Sequence, residues 1–461
     1  MLFLDTFRTM HQHRRPATPP PAMLSRLVQP LQEFTATEAA GGIVLVAATV
    51  VALAWANSPW SDAYQDLLHH HIVVDLGFYT IDESVHFWIN DVLMVLFFFL
   101  VGMEIKRELL VGEISSVRQA VVPLAAALGG MVVPVLIFLA IVGGSAGSHG
   151  WGIPMATDIA FALGVAALLG PRVPVGLKVL LLALAIFDDL GAVAVIAVVY
   201  SDSIDFGPLA LGLLLLGGVF LMNRAGIREL SVYVFVGVLI WAAVVKSGVH
   251  PTTVGVALGV LTPIRSRYPL DRLRQEAGAF VQSLDNESGA HDRESERHFH
   301  SDAVLRLRRL AEDAVSPLFR LEHGLNYWVA FLIVPIFALA NAGVDLRGDT
   351  LASATSERLT WGVALGLLFG KPIGILLGSW VAVRLGAQLP GGTRWLGVLG
   401  IGAIAGIGFT VALFVAELAY TDEDLLTYGK VGILAGSFVS AIGGYLLLRR
   451  TAAPPPTAAR D

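Results

Sequence analysis

Long apolar runs separated by short polar breaks fill most of the chain between residues 38 and 448. A helix needs about 20 apolar residues to cross a hydrocarbon core, fewer where it is broken or lies among protein neighbours. Twelve segments meet that condition, near 38–56, 87–105, 119–142, 154–169, 174–199, 207–222, 230–246, 250–263, 326–343, 360–383, 396–419 and 430–448, the eighth being short. The pattern predicts an all-α polytopic membrane protein of about 12 transmembrane helices over residues 38–450. One stretch departs from it: HHHIVVDLGFYTIDESV (69–85) alternates apolar and polar residues about Gly77, which predicts a small extracytoplasmic β-hairpin in the 57–86 loop.

The polar connections sort by their basic residues. Segments 57–85, 143–153 and 200–206 contain neither Lys nor Arg, whereas the alternate ones hold Lys106, Arg107 and Arg118, then Arg172 and Lys178, then Arg224 and Arg228, then Arg384 and Arg394. Basic loops stay on the cytoplasmic side, so both termini are expected there. Arg347 and Arg358 fall on the other side, in the company of Asp345, Asp349 and Glu357. Residues 1–37, with their PATPPPA run, read as a flexible leader that lacks the apolar core of a secretory signal, and 451–461 as a disordered tail. A charged stretch from 265 to 316 reads as a long cytoplasmic insert, with a helix in AVLRLRRLAEDAV.

Composition supports this class and removes others. Of 461 residues, 55% are hydrophobic and 15% charged, the balance of a membrane protein, and a net charge of −6 gives no electrostatic case for binding nucleic acid. With no cysteine, disulfides, thiolate metal ligands and cysteine nucleophiles are excluded.

The intramembrane charges carry the chemistry. Asp188 and Asp189 stand side by side in LALAIFDDLGAVAVIAVV (182–199). An ionised Asp at a helix centre costs about 2.5 to 3.5 kcal/mol unless it is paired, protonated or wetted. Successive helical residues lie about 100° apart, so one of the two is free to face an ion cavity while the other meets a separate partner. In GIPMATDIAFALG, Pro154, Thr157 and Asp158 interrupt the fourth segment, and in GIGAIAGIGFTVALF, Gly406 and Gly408 make the eleventh breakable. Freed carbonyls, the Thr157 hydroxyl and Asp158 make an all-oxygen setting suited to a hard monovalent cation such as sodium. Interrupted segments in two halves point to a transporter's central site, with segments three to five and ten to twelve as candidate inverted-topology repeats. Lys371, before Pro372 in LLFGKPIGILLG, lies too deep to snorkel and is placed to pair with a segment-five aspartate, either in a proton exchange or as a structural salt bridge. His69, His70 and His71 read as a hydrated run, because three consecutive residues cannot all face one metal. Glu104, Lys106, Arg107 and Glu108, His250, and Arg320, Glu322 and His323 read first as ordinary helix ends.

These residues lie in INDVLMVLFFFLVGMEIKREL, ATDIAFALGV, ALAIFDDLGA, KSGVH, FALANAGV, GKPIG and GIGFTVALF, and the series resembles the NhaA-type sodium/proton antiporters of bacterial cytoplasmic membranes over about residues 34–450. The resemblance implies a twelve-helix fold with helices four and eleven unwound where they cross. It implies that Asp158 and Asp189 are the cation-binding and proton-binding carboxylates, lined by Thr157, and that Asp188 pairs with Lys371 in the proton cycle. Glu104, His250 and Glu322 match positions tied to pH regulation, Asp91 matches a further acid, and the 69–85 hairpin matches a homodimer contact. The long insert ahead of Glu322, and Asn326 where relatives often carry histidine, depart from the pattern.

The expected protein is therefore not an enzyme. It is a secondary antiporter in the bacterial inner membrane that expels sodium or lithium in exchange for protons, for sodium and pH homeostasis. Protonation and cation binding compete for Asp158 and Asp189, without ATP or a cofactor. Membrane lipid is its surrounding partner, and the resemblance implies electrogenic exchange at two protons per sodium. Three rivals remain: a sodium- or proton-coupled solute cotransporter, a passive channel, and an intramembrane aspartyl protease, although no G-x-G-D loop is present.

Overall fold

The computed structural model describes residues 23–75, 80–112, 117–201, 204–227, 229–266, 315–391 and 393–451, with isolated positions between 274 and 282. The PATPPPA leader, most of the 265–316 insert with its expected helix, the turn about Gly77 and the tail beyond Thr451 lie outside the described residues.

In chain order the helices are α1 (Met23–Ala56), α2 (Ser61–His69), α3 (Val85–Val111), α4 (Val117–Val142), α5 (Ile159–Leu168), α6 (Val175–Val199), α7 (Phe206–Arg224) and α8 (Leu230–Lys246). They continue with α9 (Thr252–Leu261), α10 (Pro317–Asn341), α11 (Thr350–Ser356), α12 (Arg358–Arg384), α13 (Trp395–Ala405), α14 (Phe409–Ala419) and α15 (Glu423–Thr451). Each of the twelve apolar segments is largely helical, the fourth and eleventh being broken at 156–158 and 406–408. Among the described residues, seven helices (α3, α4, α6, α7, α10, α12 and α15) are singly long and apolar enough to cross a membrane, or ten spans if each bent pair counts as one. Helices α8 and α9 are apolar but shorter. The architecture is that of a multi-pass helical membrane protein. Helix α1 begins at Met23 and runs through Pro30 into the first apolar segment.

Local chemistry sets several boundaries. The Ser84 hydroxyl accepts from Phe87 N at 3.1 Å to open α3. Ser316 does the same for Phe319 N ahead of Pro317, a residue with no N–H to leave unpaired at a helix start. Between α2 and α3 two strands, β1 (His71–Asp75) and β2 (Thr80–Ser84), pair antiparallel with His71 opposite Ser84, which is the expected hairpin.

Close packing arranges the bundle. Helix α4 lies along α12, α3 along α9, α13 along α15, and α1 against α5 and α10, with α7 and α8 paired at one side. Phe98, Phe337 and Phe414 fill the centre, each no more than 2% exposed. Many apolar side chains of α7 and α8, among them Leu214 and Phe235, face outward, as they do where the surrounding solvent is hydrocarbon.

Candidate ion site

Two helix breaks meet in the interior. A 3-10 segment (Ala146–Met155) stops before Ala156 and α5 resumes at Ile159, bent by 46°, while α13 ends at Ala405 and α14 starts at Phe409, bent by 47°. Each break frees backbone groups that water cannot reach, so the other must supply partners. Asp158 N donates to Ile407 O at 2.7 Å, and the Thr157 hydroxyl lies 2.9 Å from Ala405 O. Asp158 caps both helix starts: Oδ1 accepts from Phe161 N at 2.9 Å, and Oδ2 accepts from Thr410 N at 3.1 Å and Thr410 Oγ1 at 2.6 Å. A carboxylate between two helix N-termini also meets their positive dipole ends. Ser437 of α15 takes the next orphan donor, Phe409 N, at 3.2 Å.

Helix α6 passes the junction with its two aspartates pointing apart. Asp188 is ion-paired with Lys371 of α12 through Oδ2, and Thr157 Oγ1 contacts the same oxygen. Both charged side chains are almost completely buried. Asp189 makes no hydrogen bond or ion pair among the described residues. It lines a partly open cavity together with Glu104, Thr157, Asp158, Asn326 and Thr410. Asp188, Glu104 and Asp158 act on Asp189 electrostatically, against Lys371. A bound monovalent cation or proton offsets that repulsion.

The remaining sequence candidates separate into two places. Glu104 lines the cavity, and one turn further along α3 Arg107 binds Glu322 and Glu108, leaving Glu322 Oε2 buried without a hydrogen bond among the described residues. Lys106 Nζ donates to Thr262 O at 2.6 Å. His250 is not part of that group. Its Nε2 lies 3.5 Å from Asp91 Oδ1 and its ring packs edge-on against Phe414. In the hairpin region His69 Nδ1 lies 2.9 Å from Gln65 O and His71 Nδ1 2.8 Å from Asp82 Oδ1, so these neighbours have separate partners. Arg347 is held by Asp345 and by Ser61 Oγ at 3.0 Å.

Sequence reasoning did not single out Thr410 or Ser437, and it read Arg107 as part of an ordinary helix end. Thr410 stands two residues after Gly408, a position that a search for hydroxyls beside the glycine break would have found. Ser437 and Arg107 carry no local signal, since their roles come from helices distant in sequence.

A multi-pass helical protein whose acids meet at two adjoining helix breaks, beside an open cavity, is built as an ion-coupled membrane carrier. A sequence profile described as "Na+/H+ antiporter 1" matches residues 32–448. The chain is 47% identical over 452 residues to "Na(+)/H(+) antiporter NhaA 2" of Sorangium cellulosum, covering 96% of this chain and 95% of that one. It is 45% identical over 445 residues to "Na(+)/H(+) antiporter NhaA" of Oleidesulfovibrio alaskensis (95% and 98%) and 47% identical over 439 residues to the protein of that name from Anaeromyxobacter (95% and 94%). The chain belongs to the Na+/H+ antiporter 1 family.

Proposed function

We propose that the protein exchanges sodium for protons across a bacterial inner membrane, expelling sodium for sodium and pH homeostasis. One observation carries this reading: Asp189 faces the cavity beside Asp158 without a hydrogen bond or ion pair among the described residues, so two carboxyl groups stand where a small cation and protons compete. Family membership supports the same ion pair. Protonation of the acids expels the cation; a less acidic compartment empties them for it. Lithium, a small hard cation like sodium, is accepted as well. Exchange of two protons per sodium is electrogenic and lets membrane potential drive sodium out. The cycle uses no cofactor and no ATP.

In this reading the chain crosses the membrane twelve times with both termini cytoplasmic, α8 and α9 being short spans and the two bent pairs that meet at Asp158 being interrupted ones in inverted-topology halves. The cavity then opens toward the cytoplasm, since Glu104 and Asn326 lie on the side of the basic loops. Breaking the Asp188–Lys371 pair accompanies proton transfer, and Glu104, Glu322 and His250 tune the response to pH. The hairpin joins two copies into a homodimer. Sodium-coupled uptake of an organic solute is the other reading, and it is disfavoured because the charged side chains lining the cavity are all acids, with no arginine to clamp a larger anion.

The test is exchange in proteoliposomes under an imposed pH gradient, followed with a fluorescent probe on adding sodium, lithium or potassium. Collapse by sodium or lithium that is lost in Asp189→Asn supports antiport. Absence of collapse by either ion at any pH from mildly acidic to alkaline, with folded protein, rejects it.

A further inference from the structure

Five polar side chains away from the cavity meet inside the bundle. His86 Nε2 lies 3.1 Å from Asn341 Oδ1 and 3.8 Å from Glu417 Oε1, and Lys430 Nζ lies 2.6 Å from that same Glu417 oxygen. The Asn341 amide donates to Asn90 Oδ1 at 2.8 Å, and Asn90 Nδ2 donates back to Asn341 Oδ1 at 3.3 Å. Asn341 is fully buried, and the Glu417 and Lys430 side chains are each 12% exposed. An apolar plug needs none of these groups, and ionisable residues held in a membrane interior mark ion routes or their gates.

Their placement along the helices is informative. Three helices carry a cavity residue toward one end and a cluster residue toward the other: Glu104 and His86 on α3, Asn326 and Asn341 on α10, Thr410 and Glu417 on α14. At a rise of 1.5 Å per residue these pairs are separated by about 27, 22 and 10 Å. The cluster therefore sits beyond the acidic site, on the side away from the cavity. Helix α15 spans the same interval beside α14, with Ser437 capping Phe409 at the junction and Lys430 holding Glu417 at the far end. A π-helical turn (Trp88–Leu93) places Asn90 here, and such turns recur where a helix is locally unsettled for function.

We infer that His86, Asn90, Asn341, Glu417 and Lys430 form the closed gate on the hairpin side of the ion path. This rests on the exchange reading above, in which the acids must reach both faces in turn. Opening parts Glu417 from Lys430 and His86, which moves α14 against α15 and α3 and leaves polar groups lining the passage for a hydrated ion. Closure rejoins them, so neither state strands an unpaired charge in apolar surroundings.

The absence of cysteine makes access measurable, because one introduced thiol reacts without background. Ala338 is fully buried on α10, about one turn inward from Asn341. Protein carrying Ala338→Cys is reconstituted in oriented vesicles, and a membrane-impermeant maleimide is added on the hairpin side, with sodium/proton exchange measured in the same preparation. Glu417→Gln keeps the size of the side chain while removing its charge, and His86→Gln replaces the ring by an amide that cannot reproduce its approach to both Asn341 and Glu417. Each is expected to raise labelling from the hairpin side roughly tenfold, the shift in open population that weakening the closed state by one net polar contact produces. Labelling from the opposite side should not rise. Unchanged hairpin-side labelling in both variants, with folded protein, overturns the gate, and a lowered melting temperature alone would mean a structural ion pair only. If the parent protein exchanges no ions, the antiport reading fails on its own, whatever the labelling shows.

Discussion

Lys371 and Asp188, 183 positions apart in the chain, are ion-paired across α12 and α6 with side-chain exposures of 0% and 1%. Thr157 contacts the same Asp188 oxygen and also reaches Ala405 O, so the charge pair is tied directly to both helix breaks. The neighbouring Asp189 is left facing the cavity. Two adjacent aspartates thus have distinct surroundings: one is matched by a buried cation, the other by whatever enters from the cavity.

Removing one partner of that pair should cost far more than removing both. Lys371→Met or Asp188→Asn alone strands a group in the interior, a loss of about 3–5 kcal/mol, whereas the double substitution leaves neither charge of the pair unmatched. Thermal or denaturant unfolding in detergent, arranged as a double-mutant cycle, should show the double variant closer to the unmodified protein than either single one. Additive losses would mean that the two side chains do not act as a pair.

Asp158 and Asp189 should separate in stability although both are proposed to serve exchange. Asp158→Asn puts an amide where two donors from Thr410 or one from Phe161 now find an acceptor, at a cost of about 1–3 kcal/mol. Asp189→Asn breaks no hydrogen bond seen among the described residues and should leave the melting temperature unchanged or higher. Both are expected to abolish sodium-driven collapse of a pH gradient. Equal destabilisation by the two would contradict this division.

Where α4 and α12 touch, the backbones approach so closely that a Cβ on Gly374 would run into the Gly129 carbonyl, and one on Gly129 would meet Gly374 in turn. Small residues permit this contact between membrane helices. Gly374→Ala should destabilise by about 1–3 kcal/mol, as overpacking does, and lower the yield of monodisperse protein. Gly217→Ala on α7, where nothing lies within 4 Å of the added carbon, is the control and should be near neutral.

The hairpin-side ion pair should not contribute to the pH response of exchange. Its hydrogen bonds to Arg347 hold the Asp345 carboxyl below the ordinary value of 3.8. A depressed folded-state value adds stability above that ordinary value and loses it only as pH falls through the lower one. From mildly acidic to alkaline pH Asp345 is ionised in both folded and unfolded chains, so Asp345→Asn should leave the exchange profile superimposable on that of the unmodified protein. A displaced profile would implicate this pair in regulation.

Sequence alone determined the elements and the candidate chemistry. Apolar run length marks helices in a hydrocarbon solvent, which is why the apolar segments are largely helical, and the alternation in HHHIVVDLGFYTIDESV marked the strands. A charge inside such a run is costly enough to announce itself, so Asp158, Asp188, Asp189 and Lys371 were legible without coordinates. Tertiary structure decided the partners. Which aspartate meets Lys371, that Asp158 caps two helices rather than one, that Arg107 binds Glu322, and that His250 lies with Asp91 away from Glu104 all depend on contacts between helices far apart in the chain. The same holds for Glu417 and Lys430, which the packing of α14 against α15 brings together. Periodicity reports which face of a helix is apolar, but the identity of a side chain's neighbour is fixed only when the helices pack.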